Sequence, residues 1–95
     1  LQFEWEPSKA DANQLKHQVG FEEAATVFGD PFARIAADHK HSDEELRWHI
    51  IGMSEMGRVL IVAYTERKDF IRIITARKAE PAERRRYEKN REAHA

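Results

Sequence analysis

The 95-residue sequence has no cysteine, only four glycines and three prolines, and no initiating methionine at Leu1. Without thiols there is no disulfide, no thiolate metal site and no cysteine nucleophile. No apolar run approaches the ~20 residues that a membrane span needs, and the opening LQFEWEPSK is not a signal peptide. The expectation is a soluble, cytosolic protein whose start has been processed, edited or truncated. Also missing are a glycine-rich phosphate loop, a His-x-x-x-His helix and a nucleophile flanked by a plausible base. No internal repeat or low-complexity segment interrupts the chain. Its length suits one domain spanning residues 1–95, above the ~40 residues below which small folds need staples.

What the sequence does have is charge, and that charge is segregated. Residues 1–57 carry 5 basic and 11 acidic side chains, a net of −6, whereas residues 58–95 carry 11 basic and 6 acidic, a net of +5. The total is −1. A basic C-terminal half invites a polyanionic partner. The near-neutral pI of 6.6 argues against a dedicated basic DNA binder.

Periodicity predicts a short strand around Phe3 and Trp5, then a helix entered through Pro7 and running to Lys16 or His17, capped near Gly20. Phe21, Ala24, Ala25 and Phe28 fall on one face of a second helix, which Gly29-Asp30-Pro31 ends. The two helices resemble a helix–turn–helix, but the second is acidic and offers phosphate no Arg or Lys. Strands are expected over Phe32–Ala37, Leu46–Met53, Val59–Glu66 and Phe70–Ala76, with turns at 54–57 and about Arg67-Lys68. Pro81 restarts a helix, PAERRRYEKNREAHA, with few apolar anchors beyond Ala82 and Tyr87; it would project or dock on a partner. Helices beside a meander of strands make an α+β domain with an antiparallel sheet, two N-terminal helices and one C-terminal helix. Trp5 and Trp48 read as core residues, and alternatively, with Phe32, as a docking surface.

The stretch Asp38-His39-Lys40-His41-Ser42-Asp43 offers two metal ligands at most, and a solvated polar turn accounts for it equally well. Arginines within strands carry more information. Arg72 lies in an apolar strand, so it needs a carboxylate, a rim position or an anion. Strand alternation sends Arg72 and Arg77 to opposite faces unless a bulge intervenes. Fixed guanidinium groups suit phosphoryl chemistry, because RNA carries its own 2′-hydroxyl nucleophile and the protein needs only to align the chain and stabilise phosphate charge. Proton-transfer candidates are His17, Glu45, His49 and Tyr87. Three of these features have a plain structural alternative. Glu45 and Arg47 form a surface pair, His17 complements a helix dipole, and Arg77-Lys78 is a solvated strand end.

Five blocks now stand in order: FEWEPSKADANQLKH, FEEAATVFGDP, Glu45-x-Arg47-Trp48, VAYTER and RIITARKAEPAERRRYE. Together, from Phe3 to Tyr87, they resemble the BrnT family, toxins of bacterial type II toxin–antitoxin modules. The resemblance implies a RelE-like fold and a ribonuclease, working without metal or other cofactor, that inhibits translation and growth. It implies neutralisation by a BrnA-type antitoxin with a ribbon-helix-helix domain, and operator DNA bound only through that antitoxin. Carried residue by residue, it implies that Arg67, Arg72 and Arg77 bind or stabilise phosphate and that Glu45 or His17 transfers the proton. Lys16 and Arg47 would position the chain, with Lys78 and Tyr87 as further substrate-binding groups. Two departures stand out: Gln18 replaces the usual glycine after the Lys-His pair, and Glu6 stands where Asp is usual. The competing expectation is a catalytically silent module acting only within a repressor complex. A regulator binding DNA alone would need salt-sensitive affinity for duplex.

Overall fold

Alternating apolar residues build the sheet, and the computed structural model, which describes residues 1–41 and 45–94, shows how it is ordered. The strands are β1 (Gln2–Glu4), β2 (Arg34–Ala37), β3 (Arg47–Met53), β4 (Val59–Arg67) and β5 (Phe70–Lys78). The helices are α1 (Pro7–His17), α2 (Phe21–Thr26) and α3 (Pro81–His94). One sheet takes the order β1-β5-β4-β3-β2. The four later strands pair antiparallel, as expected, but β1 runs parallel to β5 and makes the sheet mixed. Hairpins enforce antiparallel pairing between neighbours; β1 and β5 lie far apart in sequence, so nothing local fixes their relative direction.

One sheet face is the core. Ile50, Leu60, Val62, Tyr64, Ile71, Ile73 and Ala76 pack there against Val19, Phe21, Ala24 and Val27. Trp5 and Trp48 are half-buried against this cluster, Trp5 meeting Phe21 edge-on at 5.8 Å. Both tryptophans therefore belong to the core. At the outer side of β5, where β1 has ended, the Asn13 side chain takes over as a pairing partner. Its Oδ1 accepts the Ala76 N–H at 3.0 Å and its Nδ2 donates to the Ala76 carbonyl at 2.8 Å. A buried Asn thereby satisfies backbone groups that a missing strand would leave orphaned.

Element ends depart from expectation for local reasons. The left-handed residue after α1 is Gln18 (φ 55°), whose N–H reaches the Gln14 carbonyl at 2.9 Å, whereas Gly20 (φ −82°) opens α2. α2 stops at Thr26 and continues as a 3₁₀ turn over Val27–Gly29. β2 begins at Arg34 rather than Phe32, because the Asp30 carboxylate accepts the Phe32 N–H at 2.9 Å and holds a turn. The β4–β5 turn is Lys68-Asp69, which leaves Arg67 within β4, opposite Phe70.

The charged α3 does not project. Tyr87 is buried, and its hydroxyl donates to the Asp30 carboxylate. Arg34 donates to Asn90 at 2.9 Å, and the Arg91 guanidinium lies 5.6 Å from the Phe32 ring centroid. The expected anchor Ala82 is exposed. A second apolar cluster of Val59, Ala79 and Tyr87, with Phe32, Ile51, Met53 and Ile61, seats the helix on the face opposite the core. α3 thus covers part of that face and leaves the rest open.

Candidate functional site

The open face owes its composition to one extra residue. Thr65 pairs with Arg72 and Tyr64 with Ile73, but Ala63 pairs with Thr75, so Ile74 is a bulge. Beyond the bulge the alternation of β5 is reversed, and Arg77, opposite Ile61, joins the side that carries Arg72. The neighbouring strands add Arg34 and Ala36 from β2, and Arg47, His49 and Ile51 from β3, all in register.

Two hollows lie on this face. The larger, about 520 Å³, is lined by Arg34, His49 and Arg77 with Glu83, Arg86 and Tyr87 of α3. The second, about 360 Å³, is lined by Lys9, His41, Glu45, Arg47, Arg67 and Arg72, with Thr65 between Arg47 and Arg72 in the pairing. Thr65 is 4% exposed, and its hydroxyl is the one buried side-chain polar atom without a hydrogen-bond partner among the described residues. A buried orphan hydroxyl calls for a partner, and the residue that carries it lines a hollow walled by guanidinium groups.

Among the described residues, Arg67, Arg72 and Arg77 each pair with a glutamate. Arg67 grips Glu45 through two bonds, Nε to Oε2 at 2.6 Å and a terminal nitrogen to Oε1 at 3.0 Å. Arg72 pairs with Glu4 of β1. Arg77 grips Glu83 at 2.8 and 3.0 Å. The Arg77 hydrogen bonds hold the Glu83 carboxyl well down, at about 2, against the opposing effect of burial. All six side chains keep 29–41% of their surface in water. Exposed pairs of this kind contribute ~0–1 kcal/mol, so exchanging a carboxylate for a phosphate oxygen costs little.

A second polar group lies behind the arginines. Asp38 is buried, and its Oδ2 meets His41 Nδ1 at 3.0 Å and His49 Nε2 at 3.1 Å. Burial pushes its carboxyl up, but the His41 hydrogen bond and the attraction of both imidazoles outweigh that and hold it below the usual range. His41 therefore contacts a carboxylate while 55% of its side chain stays in water, as a solvated turn would have it; Ser42 and Asp43 of the same stretch lie outside the described residues. Among the described residues no cluster of three or more acidic or histidine side chains is arranged to hold a metal.

The geometry sorts the expected site residues. Glu45, Arg47, Arg67 and Arg72 line one hollow, and Arg77 and Tyr87 the other. Lys78 sits opposite Leu60, and its charge acts on Glu23 of α2, on the helix-covered side. Lys16 and His17 end α1 and line neither hollow. Residues that the sequence did not single out include Lys9, Thr65, Arg34 and Arg86. An orphan Thr hydroxyl has no sequence signature, and Lys9 reaches the site only because α1 lies along the edge of β5.

Fold and site define a small α+β domain that presents a hollowed, arginine-rich sheet face opposite its helix-covered core. The family model described as ribonuclease toxin, BrnT, of type II toxin–antitoxin system matches residues 5–83, and the chain belongs to that family. Its fold is similar to the 1.1 Å crystal structure of the ribonuclease toxin BrnT of Brucella abortus. The TM-score is 0.66 at 18% identity, covering 84% of this chain and 97% of that one. No curated protein matches the chain. Among the described residues no helix is long and apolar enough to cross a membrane.

Proposed function

We propose that this chain is a cytoplasmic endoribonuclease that cleaves RNA without a metal ion and thereby arrests translation and growth. Its substrate phosphate lies in the hollow over Thr65, the orphan hydroxyl donating to one phosphate oxygen while Arg47, Arg67 and Arg72 neutralise the charge. The single observation carrying this reading is that buried hydroxyl, set between two arginines of one cross-strand row and lacking a partner among the described residues. Arg77 extends the track along the same face, with Tyr87, buried and bonded to Asp30, as packing beneath it. For proton transfer the sequence points to Glu45 or His17, and of the two only Glu45 lines the hollow over Thr65; Lys16, His17 and Lys78 line neither hollow.

The partner is a BrnA-type antitoxin with a ribbon-helix-helix domain, and the complex represses its own operon, DNA being read by the antitoxin. An antitoxin that covers this face places carboxylates where RNA phosphates go, so its association weakens as salt rises.

Induced expression of the chain alone tests the reading, with growth and RNA integrity followed beside Arg67→Ala and Thr65→Val. Growth arrest with RNA breakage, relieved in both variants while circular dichroism shows intact folding, is the expected result. A folded wild-type chain that leaves cells growing, and RNA whole with and without ribosomes, would instead identify a silent repressor module, for which the three Arg–Glu pairs are permanent structure.

A further inference from the structure

We propose that His41 and His49, both within 3.1 Å of the single carboxylate of Asp38, are the proton-transfer pair of the cleavage reaction, with Asp38 as their positioning residue. This rests on the ribonuclease reading above. The geometry has three parts. Asp38 follows β2 directly, and its N–H donates to the Arg47 carbonyl at 2.8 Å, which fixes the carboxylate against β3. His49 stands two residues from Arg47 on the same face of β3, its Nε2 3.1 Å from Asp38 Oδ2. His41, at the end of the 3₁₀ turn His39–His41, contacts both carboxylate oxygens through Nδ1, at 3.0 and 3.2 Å. His41 is thus hydrogen-bonded through Nδ1, which leaves its Nε2 outside that contact, while His49 stands in charge contact with the same carboxylate through Nε2. A buried carboxylate that orients an imidazole is the means by which a general base is fixed in tautomer and direction. Here one carboxylate serves two rings.

The rings open into different hollows. His41 lines the one containing Thr65, where Lys9 of α1, Glu45 and Arg47, Arg67 and Arg72 are the facing charges. His49 lines the other, facing Arg34 of β2, Arg77 of β5, and Glu83, Arg86 and Tyr87 of α3. An RNA backbone crossing from one hollow to the other passes both imidazoles. The step they serve is balanced without a metal, an oxidant or an added nucleophile. The 2′-hydroxyl oxygen bonds to phosphorus as a neutral imidazole takes its proton. The P–O5′ bond breaks, its electron pair leaving on O5′, which receives a proton from the other ring as imidazolium. The products are a 2′,3′-cyclic phosphate and a 5′-hydroxyl. Glu45 is a poorer base here, because Arg67 engages both of its oxygens.

The test uses purified wild type, His41→Gln, His49→Gln and Asp38→Asn on an RNA whose cleavage site has been mapped, with ribosomes if the wild type needs them. A second RNA carries sulfur in place of O5′ at that bond, a leaving group that needs no proton. Each His variant is expected to lose roughly 10²–10⁴-fold in kcat with KM little changed. On the sulfur-bridged RNA one variant recovers towards the wild-type rate, which identifies the acid, while the other stays slow. Asp38→Asn, which keeps the shape, is expected to lower kcat and move the pH–rate profile. The proposal is overturned if either His variant cleaves natural RNA at the wild-type rate, if the loss lies in KM alone, or if both variants respond identically to the sulfur substitution. In those cases wild-type cleavage still stands, and so does the ribonuclease reading. A wild type that cleaves neither RNA sinks both together.

Discussion

Replacing Gln18 by glycine is expected to stabilise the protein. Gln18 is the one non-glycine residue with positive φ among the described residues, at φ 55° and ψ 37°. A side chain with a Cβ in that left-handed region is strained by roughly 1–2 kcal/mol, and the greater unfolded-state freedom of glycine returns ~0.5–1 kcal/mol of it. The backbone bonds survive the change: the Gln18 N–H still reaches the Gln14 carbonyl at 2.9 Å, and its own carbonyl still accepts from Arg58 at 3.2 Å. Only the exposed bond from Gln18 Nε2 to the Leu15 carbonyl, 3.1 Å, is lost. The net gain is about 0.5–1 kcal/mol, and 1 kcal/mol moves Tm by about 4–8 °C in a domain of this size. Thermal and urea unfolding followed by circular dichroism measure it, with Gln18→Ala as the control. Alanine retains the Cβ and its strain while losing the same side-chain bond, so it should fall level with or just below the wild type. A glycine variant no more stable than the alanine variant would refute the reasoning.

Thr65→Val, similar in shape but without the hydroxyl, should leave stability unchanged or raise it by up to ~1 kcal/mol, because no hydrogen bond is lost. The same change should weaken RNA binding by about tenfold, the equivalent of ~1.4 kcal/mol, as titration of a non-cleavable RNA would show. Glu83, whose folded-state pKa is held at about 2, stabilises the fold above pH ~4.5 and loses that contribution as pH falls towards 2. Melting curves across this window should therefore converge for wild type and Glu83→Gln at the acid end and separate near neutrality, wild type the higher. Gly52→Ala should destabilise by about 1–3 kcal/mol in urea unfolding, since the new Cβ would lie 2.9 Å from Val27 Cγ1 and 3.0 Å from Ala33 Cβ, both packed.

Local pattern carried most of the architecture. The alternation of Leu46, Trp48 and Ile50 against Arg47, His49 and Ile51 separates the two faces of β3 except at Leu46, which lies ahead of the strand and is exposed, and the spacing of Phe21 and Ala24 found the face of α2 that meets the core. What local pattern could not carry was the consequence of a single inserted residue. Nothing in RIITAR marks Ile74 as a bulge, because the strand is apolar on both sides and either register reads equally well. The grouping of Arg72 with Arg77 was therefore conditional until the pairing was known. His41 illustrates a different gap. Its sequence neighbours are polar, which reads correctly as solvated, but its carboxylate partner also lies 3.1 Å from a residue eight positions further along, on β3, and no local pattern shows that. Lys78 failed for the opposite reason: adjacency to Arg77 in sequence placed it on the other side of the sheet. The position of Gln18 was visible only as a departure from the family's glycine; the structure gives that departure a backbone angle.

The borders of the sheet are unusual in being nowhere longer than a few residues. β4 and β5, the nine-residue strands, lie inside, and in the stretch of β5 that β1 leaves uncovered the amide of Asn13 pairs with the backbone of Ala76. A foreign strand seeking a template therefore finds three residues at one margin and four at the other. Such short margins resist the edge-to-edge growth by which β-rich chains aggregate.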